Sequence, residues 1–180
     1  MGRHDGLTDL RPDAPGRLDS VASVTGELSI QDRYFPGLTC FGCGPANPKG
    51  LRLKSTVDDA GVVVARFTPW PEHDNGLGYL NGGIISTVLD CHSAAAVMHE
   101  SDRRGWLGDA PASGEVGLQY VTAGLNVRYL RPTPLRETLS LTAQVVDGDE
   151  SQATVHVEIV WDGKPRAAAE ALWKRWRPRT

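Results

Sequence analysis

Apolar positions along this chain fall into two periods, and the change between them outlines the fold. Leu51, Leu53, Ser55 and Val57 alternate with polar neighbours, and residues 62–67 are rich in β-branched side chains. Both read as strands, joined by a turn at residues 58–61. Residues 68–80 carry Pro69, Pro71, Gly76 and Gly78 and read as a loop. From Gly82 to about His99 the pattern becomes helical. Ile84, Ile85, Val88, Leu89, Ala95, Ala96, Val97 and Met98 cover most of the circumference, which predicts a buried helix. One polar stripe remains on it, Ser86, Asp90 and Ser93, spaced i, i+4, i+7. Asn81 is a favoured N-cap residue just before it.

The last third alternates again, at Leu125, Val127 and Tyr129, at Leu139 to Val145, and at Val155 to Trp161. Residues 147–150 read as a hairpin turn, and Asp162-Gly163 is the stronger two-residue hairpin signal. Residues 167–176 are ambiguous. Their Ala and Glu content favours helix, but the hairpin before them favours a strand returning along residues 155–161, and we assign a strand. Two strands, one helix buried nearly all round and at least four more antiparallel strands predict an α+β fold. Its simplest form is a curved antiparallel sheet wrapped around a long central helix.

Residues 1–32 are rich in Gly, Pro, Asp and Arg and predict a mobile arm, with a short helix or turn near residues 19–30. Residues 33–180 form the domain. The apolar fraction of 40%, charged fraction of 23% and net charge of −3 are those of an ordinary globular protein. They argue against nucleic acid or an anionic membrane as partner. Neither a membrane-spanning apolar run nor a secretory leader is visible, and the odd count of three Cys argues against a disulfide scaffold. The expected compartment is the cytoplasm.

The run 75–90, NGLGYLNGGIISTVLD, carries the candidate chemistry. Backbone N–H groups at a helix start can hold a carbonyl oxygen that gains negative charge. A lone Asp90 in an apolar helix is costly unless paired or used. Taken singly, the Gly82-Gly83 pair reads as a packing device and Asp90 as a structural carboxylate; together they point to acyl transfer. Gly82 and Asp90 are eight residues apart, about 12 Å of helical rise. If they cooperate, they must come from two copies of the chain with opposed helices, which requires a symmetric dimer.

Other polar residues carry weaker signals. Asp90 and His92 point to different sides of a helix and make no dyad. His73 lies in the loop, where it is solvated or approaches a ligand. Arg128 and Arg131, with Arg136, form either a solvated face or contacts to the phosphates of a charged carrier. Cys40 and Cys43 form a CxxC, but two further zinc ligands at compatible spacing are missing and Gly44-Pro45 follows instead of a helix. Cys91 with a nearby His could complete a site, but nothing in the spacing supports it. We read the pair as small residues of a tight turn, with zinc as the lesser alternative, and expect no metal.

With these residues in hand, the chain resembles the hotdog-fold acyl-CoA thioesterases, in the PaaI-like branch of the 4-hydroxybenzoyl-CoA thioesterase superfamily. The resemblance spans about residues 40–176. It rests on NGGIISTVLDCHSAAAV, similar to the family's H-G-G-x(6)-D helix start, on TAGLNVRYLRPTP and on the Asp162-Gly163 hairpin. The opening CFGCGPANPKGL resembles a subset of the family. The resemblance implies that Asp90 activates water or attacks the thioester, that Gly82 N–H polarises its carbonyl and that Gly83 supports the same turn. It places Asn75 near the thioester and Thr122 where a hydroxyl positions the water. Beyond what the resemblance assigns, Asn81, Ser86, His73, Arg128 and Arg131 are our candidate substrate contacts. The resemblance implies an acyl-CoA substrate, CoA only as part of that substrate and no separate cofactor, and a homodimer that pairs into a dimer of dimers. Asn81 stands where the family has His, and Asn carries no proton at pH 7. Two other readings stay open on this sequence: a non-catalytic acyl-CoA or lipid-binding module, supported by Asn81, and an enoyl-CoA hydratase, which would need an Asp–His pair near the helix start.

Overall fold

A computed structural model describes residues 28–107 and 119–176. The elements run α1 (Ile30–Tyr34), β1 (Ser55–Val57), β2 (Val63–Phe67), a 3₁₀ turn (Pro71–His73), α2 (Gly82–Arg103), β3 (Tyr120–Tyr129), β4 (Leu139–Asp149), β5 (Gln152–Trp161) and β6 (Lys164–Arg175). The strands form a single antiparallel sheet in the order β1-β2-β4-β5-β6-β3. Helix α2 packs across one face, against β2 through β6. This is the hotdog arrangement, with α2 as the filling.

The burial pattern explains the wrap. Leu139, Leu141 and Ala143 of β4, Val155, Val157 and Ile159 of β5, and Ala167, Ala169, Ala171 and Trp173 of β6 are all buried against the helix side. Their neighbours in sequence face outward, as a period of two demands. The alanines of β6 let the sheet approach closely. Register shifts in the β4–β5, β5–β6 and β3–β6 ladders add the local bends that curl a sheet. Residues 91–98 of α2 are buried on every side, whereas residues 82–87, Ile85 apart, are partly open.

The final segment is a strand: tertiary pairing with β5 and β3 overrides the helix propensity of its alanines. Asp162 and Gly163 both take positive φ, 52° and 63°, as a type I′ turn requires. Strand β1 is shorter than the alternation suggested. Leu51 and Leu53 are buried, but their N–H groups bond the carbonyls of Phe41 and Gly42 in the cysteine loop rather than a sheet neighbour. The expected arm, residues 1–32, lies outside the described residues up to residue 27. Ile30 and Gln31 belong to α1 and are buried, with Gln31 bonded to Ser55 and through it to His92. Helix α2 runs on to Arg103, past the end near His99 that the apolar pattern suggested, and residues 108–118 lie outside the described residues. Among the described residues, no helix is long and apolar enough to cross a membrane.

Candidate active site

The start of α2 is built by two backbone bonds and one side-chain cap. Asn81 N–H donates to the His73 carbonyl at 2.8 Å, and Ile85 N–H donates to the Asn81 carbonyl at 3.0 Å. The Asn81 side chain caps the helix, accepting the Gly83 N–H at 2.7 Å. Gly82, as the first helical residue, has no acceptor for its N–H within the helix. The cap therefore leaves the N–H groups of Gly82 and Ile84 without an acceptor among the described residues, at the end where the helix dipole is most positive and where such groups can hold an oxyanion.

Tyr129, at the end of β3, closes over this turn. Its hydroxyl donates to the Gly82 carbonyl at 3.1 Å and sits 2.8 Å from Ser86 Oγ, which itself donates to the same carbonyl at 3.0 Å. A Cβ built on Gly82 would meet only the Tyr129 ring, at 3.5 Å, an ordinary contact. Nothing among the described residues crowds Gly82, so packing within one chain does not require a glycine there.

Two turns further along, the Thr122 hydroxyl donates to Asp90 Oδ1 at 2.6 Å. A bulge makes this contact possible. Thr122 stands opposite Trp173 on the helix side of the sheet, and Gly124 is opposite Leu172, so Ala123 is the extra residue. Without that slip, Thr122 would share the outward phase of Asn126 and Arg128. Asp90 is partly buried. Burial pushes its carboxyl above the usual range, the Thr122 hydroxyl offsets part of that by stabilising the carboxylate, and the negative charge of Cys40 adds to the rise. Ser93, third in the polar stripe, donates to the Asp90 carbonyl at 2.7 Å and accepts from Trp173 Nε1 at 2.9 Å. The stripe thus faces β3 and β6 along its length.

The other residues singled out by sequence lie at varying distance from this line. Asn75 sits in the exposed loop before the helix, where its Oδ1 accepts the Leu77 N–H at 2.8 Å. His73 is not solvated: it is buried, its ring stacks on Phe67 and lies 4.7 Å from that of Trp70, and Nδ1 accepts the Trp70 N–H. Its tie to the site is the carbonyl that holds Asn81. Arg128 projects from the outer sheet face near His156, Glu158 and Glu170, opposite the Asp90 side. Arg131 is exposed and donates to the Pro165 carbonyl at 2.8 Å. Within one chain, then, Asp90 and Thr122 come together, Gly82, Gly83, Asn81 and Ser86 form a second group, and Arg128 joins neither. Tyr129 escaped the sequence reading. Its alternation with Leu125 and Val127, which put it on the helix side, was the available signal.

The cysteine loop lies against the same helix. Cys40 Sγ is 3.7 Å from Cys91 Sγ, and the sulfurs of Cys40, Cys43 and Cys91 lie within 4.8 Å of one another. Hydrogen bonds from the Cys43 and Cys91 thiols, and from the Cys43 and Gly42 N–H groups, hold the Cys40 thiol well below the usual thiol range. The bond to Cys40 and burial push Cys43 up to about 12, and Cys91 is pushed up by its bonds to both.

Comparison with known proteins decides the family. The thioesterase superfamily profile matches residues 77–169, more than half of the chain. The chain belongs to the thioesterase superfamily. It is 26% identical over 99 residues to acyl-coenzyme A thioesterase 13 of Homo sapiens and, equally, of Pongo abelii. That match covers 55% of the chain and 61% of each relative, so the chain spans less than two thirds of their length. Among solved superfamily folds, it overlays the E. coli PaaI protein from the phenylacetic acid degradation operon with a TM-score of 0.56 at 23% identity, over 71% of this chain and 81% of that one. A Bacillus halodurans protein solved with CoA gives 0.55 at 22% identity, over 72% and 77%. The superfamily fold therefore agrees with the hotdog arrangement described above.

Proposed function

We propose that this chain hydrolyses acyl-CoA thioesters, as a PaaI-like member of the superfamily, at two sites shared between the subunits of a homodimer. The observation that carries this reading is the Thr122–Asp90 hydrogen bond on the open side of α2. It fixes a carboxylate with one oxygen engaged and the other left for a water. In each site Asp90 takes a proton from that water as its oxygen bonds to the thioester carbon. The carbonyl oxygen becomes an oxyanion held by the Gly82 N–H of the second copy. The tetrahedral intermediate then collapses, the C–S bond breaks, and the CoA thiolate leaves and is protonated. Asn81, in place of the family His, serves this reading as the cap that leaves Gly82 N–H free.

Two features support a shared site. Gly82 and Asp90 of one chain are separated by about 12 Å of helix. Strand β3, which presents Thr122 and Tyr129, is an edge strand of the described sheet and exposes Val121 and Tyr129, with exposed Leu130 just past its end. Such an edge is a ready template for a second copy. The relatives named for acyl-coenzyme A thioesterase activity and the fold solved with CoA support the substrate class.

The test is Asp90→Asn, assayed by free-thiol release from a panel of acyl-CoAs. Turnover should fall by roughly 10²–10⁴-fold with the circular dichroism spectrum unchanged. Wild-type rates on every accepted substrate would refute the mechanism. A wild-type chain that binds acyl-CoA tightly without releasing thiol would make it a binding module.

A further inference from the structure

Cys40, Cys43 and Cys91 take no part in the hydrolysis proposed above, yet the fold spends several constraints on bringing them together. Cys40 and Cys43 lie on a loop, and Cys91 comes from α2, some fifty residues later in sequence. The loop is rigidly built. Gly44 N–H donates to the Cys40 carbonyl at 3.0 Å and Ala46 N–H to the Leu38 carbonyl at 3.1 Å. Leu51 and Leu53 then bond back to Phe41 and Gly42 at 2.7 and 2.9 Å. The two glycines are required by closeness. A Cβ on Gly42 would lie 2.3 Å from Cys91 Sγ, and one on Gly44 would lie 2.4 Å from the Cys40 backbone nitrogen. The loop is thus pressed onto the Cys91 sulfur itself.

We propose that Cys40, Cys43 and Cys91 are three ligands of a zinc ion that pins the cysteine loop to α2, with an exogenous fourth donor such as water. The geometry fits. Tetrahedral zinc with bonds of about 2.3 Å to sulfur sets its sulfurs about 3.8 Å apart. The Cys40–Cys91 separation is 3.7 Å, and Cys43 falls within 4.8 Å of both. An all-sulfur donor set selects a thiophilic ion over magnesium or calcium. Among the described residues no His, Asp or Glu atom joins the set as a fourth ligand, which leaves that position open. Binding is not redox: each protonated thiol releases its proton to solvent as its sulfur bonds to the ion. The proposal is independent of the thioesterase reading and stands or falls on metal binding alone.

The experiment uses the full chain, reduced and stripped of metal, and titrates it with Co²⁺ and then Zn²⁺. The expected result is one ion per chain, a thiolate-to-cobalt charge-transfer band with tetrahedral d–d bands, and displacement of both by zinc. The zinc Kd should be on the order of 1 nM or tighter at pH 7. Zinc at a hundred times Kd should raise the thermal midpoint by about 5–10 °C. Cys40→Ser, whose side chain is only half buried and so folds most readily, should weaken binding roughly a hundredfold or more and remove the charge-transfer band. Cys43→Ser should do the same. Substoichiometric or micromolar binding would mean an adventitious ion only. That result, a reduced protein without the charge-transfer band, or wild-type affinity in both serine variants would overturn the proposal. So would isolation of the chain with these sulfurs in a disulfide and no zinc uptake after reduction.

Discussion

The Thr122 hydroxyl, on strand β3, donates to Asp90 Oδ1, on helix α2, across 2.6 Å. It is a charge-assisted bond that aims one carboxylate oxygen; in the proposed hydrolysis the other would take the water. Thr122→Ala should lower kcat for acyl-CoA hydrolysis by roughly tenfold or more, and Thr122→Ser should restore most of it. The thermal midpoint should barely move, since Thr122 is exposed. Equal turnover in the alanine variant would remove Thr122 from the positioning of Asp90.

That bond depends on the pairing of Thr122 with Trp173, beside the extra residue Ala123. Deleting Ala123 would take out the bulge and leave a regular ladder, with Thr122 directly before Gly124, still opposite Trp173 and on the helix side. Tyr120, 1% exposed in the fold, would stay buried and Thr122 beside Asp90. The deletion should therefore keep more activity than Thr122→Ala, and should not lower the thermal midpoint as loss of the buried Tyr120 ring would. Comparing the two variants by thiol release and by scanning calorimetry checks both parts.

Gly82→Ala separates packing from function at the helix start. The backbone there is helical, the added methyl meets the Tyr129 ring at 3.5 Å, and Ala is the better helix former. Folding stability should hold or rise, by up to about 1 kcal/mol. Activity should fall at least tenfold, because the methyl enters the space where the thioester oxygen must reach the N–H; a tenfold loss needs about 1.4 kcal/mol of lost stabilisation. A variant that is stable and fully active would remove Gly82 from the oxyanion site.

The His73 ring gives a pH signature. Burial pushes its pKa below the ordinary histidine value of 6.5, and Glu72 offsets part of the shift. The folded state therefore binds this proton less readily than the unfolded chain, so stability is full above about pH 6.5 and declines as the pH falls below it. Protonation also turns Nδ1 from the acceptor of the Trp70 N–H into a donor. Thermal midpoints from pH 7.5 to 5 should fall more steeply for the wild type than for His73→Asn, whose carbonyl oxygen keeps an acceptor without titrating. Parallel slopes would show that the ring does not contribute.

Local patterns in the chain encode most of the frame. The 3.6-residue period marked α2, and the alternation of residues 139–145 and 155–161 marked the central strands. Asp162-Gly163 fixed the β5–β6 register, because its positive φ angles are rare outside such turns. The site was legible where one element carries it: Asn81, Gly82 and Asp90 sit on a single helix. What could not be read was long-range. Period alone does not reveal the slip at Ala123, which needs the register against Trp173 and Leu172. Nor does loop composition show that His73 stacks on Phe67, or that Cys91 meets a CxxC some fifty residues away.

Burial along α2 changes within one helix, from partly open at residues 82–87 to sealed at residues 91–98, with Asp90 at the border. Amide protons in the sealed half can exchange with solvent only when the whole domain opens, while those of the first turns exchange through local fraying. The Asp90 carboxylate therefore sits at the joint of a rod that is stiff on one side of it and free to breathe on the other.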